Sequence, residues 1–210
     1  IESEDQKKIA IDFVVNNQDV LDKLDDEKQR KVVVDFVAKN EGILDDLKTD
    51  EEKEVVVNFI ANNESVLNGL DDEKQRKVII DFVAKNPQFF DSLGLNDGQK
   101  KVAIEFVAEN QDILKDFNYE QKQIVVDFVA KNADFFNNLD DDEKTIAIDF
   151  VANNQDLLKD LDDEDKQVAI EYIAKNPDVL DGLNDEEKQV KINAIVSGEE
   201  GIDQINNDIN

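Results

Sequence analysis

The chain has 210 residues, 40% of them hydrophobic, and a formal net charge of -28 from 52 acidic and 24 basic residues. That is enough apolar material for a sizeable core, but the charge argues against binding DNA, RNA or anionic lipid, which need Lys/Arg patches facing phosphates. With no Cys, His, Met or Trp, disulfides, thiolate metal sites, thiol nucleophiles and the usual general base are excluded.

The first predicted element is a helix opening at Ser3, with Gln6 three residues on, and running through Phe13 to Asn17. The pattern then returns. Aromatic residues stand at Phe13, Phe36, Phe59, Phe82, Phe106, Phe128, Phe150 and Tyr172, at spacings of 23, 23, 23, 24, 22, 22 and 22. A degenerate ninth unit, "VKINAIV", carries Ala194 in the aromatic place. A repeated apolar pattern of this period predicts an α-solenoid whose units each pack on their neighbours.

Stretches such as "VVVDFVAKN" (32–40) are β-branched enough to look like strands. Their flanks decide for helix. Each is preceded by a capping residue with Gln, Glu or Asp three further on: Ser3/Gln6, Asp26/Gln29, Thr49/Glu52, Asp72/Gln75, Asn96/Gln99, Asn118/Gln121, Asp140/Glu143, Asp162/Asp165 and Asn184/Glu187. Eight fit the capping box loosely and the Asp165 pair more weakly, and nine such pairs in register predict nine helix starts. An Asn follows each aromatic by four residues, from Asn17 to Asn176, with Pro after it at Pro87 and Pro177. Asn is expected there as the N-cap of a second helix of one and a half to two turns, with Pro at its first position. Apolar residues cover about two thirds of the long helix, so neighbouring units must cover it on several sides. On the remaining strip, Lys28, Lys31, Asp35 and Lys39 stand at spacings that suit local ion pairs, whereas unit seven has Asp142, Thr145, Asp149 and Asn153 there.

The expected fold is therefore all-α: eight 22–24-residue helix–turn–short-helix repeats and a degenerate C-terminal capping unit, one elongated domain over 1–196. The acidic stretch 197–210 is then a tail or the start of a further module. "IAKNPDVLDGL" (173–183) resembles the leucine-rich-variant type of short α-solenoid repeat through its "A-x-N-P" and spaced apolar residues. That resemblance implies an α-helix paired with a short 3-10 helix and carries no site. The Arg-containing helix start of that family is replaced here by acids and Lys.

No apolar run approaches the ~18 residues of a membrane span. The sequence shows no signal peptide, though one could have been removed, and the absence of an initiator Met is expected of a processed chain or a piece of a longer one. Walker A, Gly-rich dinucleotide and EF-hand patterns do not occur. Ca2+ remains the one cofactor that acidic loops could take, since hard cations prefer carboxylate and carbonyl oxygens. The candidate interaction edge is Asp140, Asp141, Asp142, Asp162, Asp163 and Glu164, acids at helix starts where they also complement the helix dipole. No catalysis is expected: paired acids need a cleft that pushes their pKa values apart. The expected role is a structural or protein-binding scaffold, in a composition that fits extracellular or cell-surface proteins. Its partner would be a protein, a basic one if the acids recognise it, or a further copy added end to end. The alternative is an acidic inhibitor or nucleic-acid mimic directed at a basic protein.

Overall fold

A computed structural model describes residues 1–198. In chain order it contains α1 (Glu4–Asn16), α2 (Gln18–Leu21), α3 (Glu27–Lys39), α4 (Asp50–Gly69), α5 (Glu73–Lys85), α6 (Phe89–Ser92) and α7 (Asp97–Glu109). There follow α8 (Gln111–Leu114), α9 (Tyr119–Lys131), α10 (Ala133–Asn137), α11 (Asp141–Asn153), α12 (Gln155–Leu158), α13 (Asp163–Lys175), a 3-10 helix (Pro177–Leu180) and α14 (Asp185–Ser197). The described residues are all-α, without strands. Apart from Ser197 and Gly198, the expected tail lies outside them.

The helix starts fall where the capping pairs place them. At all nine the N-cap side chain accepts the backbone N–H three residues on, and six form the reciprocal box, from Ser3/Gln6 to Asn184/Glu187. Asp26 and Asp72 miss the reciprocal half because Gln29 and Gln75 accept from Asp25 and Asp71 instead. Asp165 is one methylene shorter than the Glu or Gln of the complete boxes, and only its own N–H joins the cap.

The chain divides into two compact units, Ile1–Gln111 and a second beginning at Asp112. In the first, α1, α3, α4, α5 and α7 each pack on the next; in the second, α9, α11, α13 and α14 do. Short helices reach further, α2 onto α4 and α12 onto α14. The same positions are buried in unit after unit: Ala103, Ile104, Phe106, Val107 and Ala108 in α7, and Ala147, Ile148, Phe150, Val151 and Ala152 in α11. Burial explains why β-branched residues sit in helices. Each buried Val or Ile contributes about 1.5–3 kcal/mol, against a helix-propensity deficit of at most about 0.7 kcal/mol.

The second elements depart from expectation. They are single turns of four or five residues rather than one and a half to two turns. In the second repeat, 41–46 forms only turns around Gly42 at φ +77°. In the third, α4 runs on through a kink at Asn63. Pro177 does open its 3-10 helix, but Pro87 stands outside α6, which begins two residues later.

The role expected for the repeated Asn is also corrected. None of Asn17, Asn132, Asn154 and Asn176 caps the following helix through its side chain. Each repeated Asn instead ends the long helix, its Nδ2 donating to the carbonyl of the aromatic four residues back at 2.8–3.0 Å. At Asn40, Asn86, Asn110, Asn132 and Asn154 the same carbonyl also accepts the residue's own backbone N–H at 3.0–3.1 Å, so the amide adds a second donor on the other lone pair and pins the helix end.

Candidate functional site

All six acids of the expected edge lie at helix starts: Asp140 and Asp162 are the N-caps of α11 and α13, and Asp141, Asp142, Asp163 and Glu164 stand in their first turns. Asp140 accepts from Glu143 N at 2.8 Å and donates its own N–H to Glu143 Oε2 at 3.0 Å. Asp162 accepts from Asp165 N at 2.9 Å. Asp141 lies 3.9 Å from Lys144 and Asp163 lies 3.8 Å from Lys166, with the carboxylates fully exposed and the lysines partly covered. Such exposed pairs contribute at most ~1 kcal/mol. The two caps are thus occupied by structure, while Asp141, Asp142, Asp163 and Glu164 face outward. Among the described residues no three acids converge as a cation site would require.

Polar side chains also bridge repeats. In the first unit the buried Asn40 gives its Nδ2 to Phe36 O and takes Arg76 Nε on its Oδ1, both at 2.8 Å. Arg76 has only donors, so the amide orientation is set by chemistry. The same guanidinium donates to Leu70 O at 3.0 Å. In the second unit Asn132 holds Phe128 O at 2.8 Å and takes Gln167 Nε2 on Oδ1 at 2.7 Å. A second kind of bridge joins the first turn of one helix to the next: Gln29 reaches Asn62 just before the kink of α4, and Gln121 reaches Asn153 at the end of α11.

The outer strip carries fewer ion pairs than its spacing suggests. Among the described residues, Lys28, Lys31 and Lys39 make none with Asp35, whereas Lys77 lies 3.8 Å from Asp81 and also pairs with Asp46 of the second repeat. The Asp46 pair raises the pKa of Lys77 and holds Asp46 below the usual carboxylate range. Glu52 is lowered too, because the backbone N–H groups of Lys48 and Thr49 donate to its carboxylate.

One concave feature lay outside the sequence reading. Between α4, α5 and α6 a groove of about 410 Å³ is lined by Val55, Phe59, Val83, Gln88, Phe90 and Lys100, among others. Phe59, Phe89 and Phe90 line it: Phe59 stacks on Phe90 at 5.7 Å, and Phe89 meets Phe82 edge-on at 4.8 Å. At its rim Gln88 has φ +84°, the one non-glycine in the left-handed region among the described residues. The signal was the pair of Phe residues directly after "NPQ", with no counterpart at the other Asn-Pro.

Comparison with family models, with curated proteins and with solved structures gave no match for this chain.

Proposed function

We propose that the chain is a non-catalytic, protein-binding scaffold: an α-solenoid of eight 22–24-residue repeats with a degenerate ninth, one domain over 1–196. The observation that carries this reading is where the recurring polar groups go. Cap residues close helix starts and the repeated Asn amides close helix ends. The side chains left to vary are outward ones, such as Lys74, Lys77 and Lys85 in the fourth repeat against Asp142, Asp149 and Asn153 in the seventh. The 3-10 helix after Asn176 supports the leucine-rich-variant resemblance at the architectural level.

The acidic-inhibitor reading draws on a separate observation, the outward carboxylates Asp141, Asp142, Asp163 and Glu164. One experiment separates the two. The immobilised chain is challenged with native-source extract at low and at physiological salt, beside a D140N/D141N/D142N variant. A scaffold retains its partner under every condition. A partner lost on adding salt and on removing the acids assigns the inhibitor role, and no specific partner under any condition ends both readings.

A further inference from the structure

The groove between the third and fourth repeats has a counterpart between the first and second, lined at nearly the same repeat positions. The two differ in charge. Where the earlier groove carries Asp12 and Glu41, the later one carries Asn58 and Pro87. The earlier groove thus sets three carboxylates, Asp12, Glu41 and Asp45, against the single amine of Lys53. In the later one Asp91 and Lys100 are the only charged residues among the described lining, and they pair with each other at 2.7 Å. A chain that is 36% charged therefore keeps this groove neutral.

The corner at its rim differs as well. Both repeats hold the residue two after the Asn in the left-handed region, Gly42 at φ +77° and Gln88 at φ +84°. That backbone suits glycine, which has no Cβ to clash, so the fourth repeat keeps a side chain where the second has none. No hydrogen bond among the described residues offsets the strain. The Gln88 side chain is exposed and its amide is unpaired there, as is that of Asn58 across the groove. Strained residues of this kind cluster at active sites and ligand clamps.

We infer, on the scaffold reading proposed above, that this groove docks an uncharged, extended segment of a partner protein. Its apolar wall, where Val55 and Phe59 are only half-buried, takes one apolar side chain of that segment. The amides of Gln88 and Asn58 each offer donors and an acceptor, which matches the N–H and C=O of a peptide group. A volume of about 410 Å³ holds a few residues of extended chain and falls at the small end of ligand pockets. Charge selects the occupant. An acidic segment is repelled by a molecule of charge -28, and a basic one finds better complements in the first groove and at the helix starts. Electrostatic complementarity chooses partners largely by excluding the wrong ones.

The test is selection of a phage-displayed library of random dodecapeptides on the full chain at physiological salt, followed by titration of the synthesised winners. They should be uncharged, carry an apolar residue and bind with an affinity that salt leaves unchanged. Gln88→Gly should weaken them about three- to tenfold, the worth of one neutral hydrogen bond, while melting no lower than the wild type. A merely structural Gln88 would not combine lost binding with retained stability. Val55→Asp, which sets a charge in the apolar wall, should weaken them further. Failure to enrich any peptide, enrichment of basic ones, or binding unchanged by either substitution overturns the groove. A native partner captured by Gln88→Gly as well as by the wild type also overturns it, and leaves the scaffold reading standing.

Discussion

The two compact units build the same inter-repeat tie with different chemistry. In the first, Asn40 receives a charged donor from Arg76; in the second, Asn132 receives a neutral one from Gln167. The aromatics diverge too. In the first unit Phe90 meets Phe59, Phe82 and Phe89, whereas in the second Phe128 meets Phe135 at 6.2 Å and is itself half-buried. What the units share is the position of the Asn amide at the helix end. The donor that reaches it, and the density of packing around it, are free to change.

The largest expected difference lies in the aromatics. Phe82→Ala removes a buried ring that meets two others of a four-ring cluster and should cost about 3–5 kcal/mol. Phe128→Ala should cost less, because its ring is only partly withdrawn from water and has fewer aromatic neighbours. Chemical denaturation of both variants checks the order, and equal losses would mean that the cluster adds nothing beyond ordinary burial.

The Asn tie gives the next effect. Changing Asn to Asp keeps the acceptor but removes the Nδ2 donor and leaves a helix-end carbonyl facing a carboxylate. The carbonyl keeps the backbone N–H of the same residue, so loss of the side-chain hydrogen bond costs about 0.5–1.5 kcal/mol. Asn132→Asp should show that full loss. Asn40→Asp should recover part of it, since the new carboxylate faces Arg76 and charge-assisted bonds are roughly twice as strong as neutral ones. Equal stability of the two Asp variants would mean that the charged and neutral ties are energetically alike.

The helix starts were legible because capping is local: Asp72 and Gln75 are three residues apart whatever surrounds them. The Asn role was not. One amide both donates and accepts, and whether it serves the helix behind or the helix ahead depends on the backbone at the corner. At Asn86 that backbone sits at φ -131°, ψ 65°, which turns Nδ2 back onto Phe82 O. The six edge acids were located correctly on helix starts, but the same carboxylates serve capping and recognition, so their spacing could not tell the two apart.

The two Asn-Pro corners sharpen the comparison further. After Pro177 the chain enters a 3-10 helix directly, while after Pro87 it passes through Gln88 at φ +84°. A side chain in the left-handed region costs about 1–2 kcal/mol, from which glycine is exempt. Gln88→Gly should therefore raise stability by up to about 1 kcal/mol, with the greater flexibility of glycine in the unfolded chain taking back some of the gain. Asp178→Gly, at the unstrained corner, should lower it. Thermal melts of the pair decide this, and destabilisation at both would show that Gln88 makes up its strain through contacts at the groove rim.

The smallest expected effect is that of the acids. In the first unit the start of α4 is Thr49-Asp50-Glu51-Glu52; in the second the start of α11 is Asp140-Asp141-Asp142-Glu143. Both boxes close, so the extra carboxylate of Asp140 is not needed for capping. D140N/D141N/D142N should leave stability within a few tenths of a kcal/mol, because Asn caps as well as Asp and only a modest dipole interaction is lost. Partner association should be equally unmoved if the acids serve only the helix start. Were they a recognition edge, the on-rate to a basic partner would fall steeply as the Debye length shrinks from about 30 Å at 0.01 M salt to about 8 Å at 0.15 M, and the triple variant would begin on the slow side. Scaffold binding predicts a flat on-rate for both proteins in a stopped-flow salt series. A steep slope in the wild type that the triple variant abolishes would move the function to the acidic edge of the second unit.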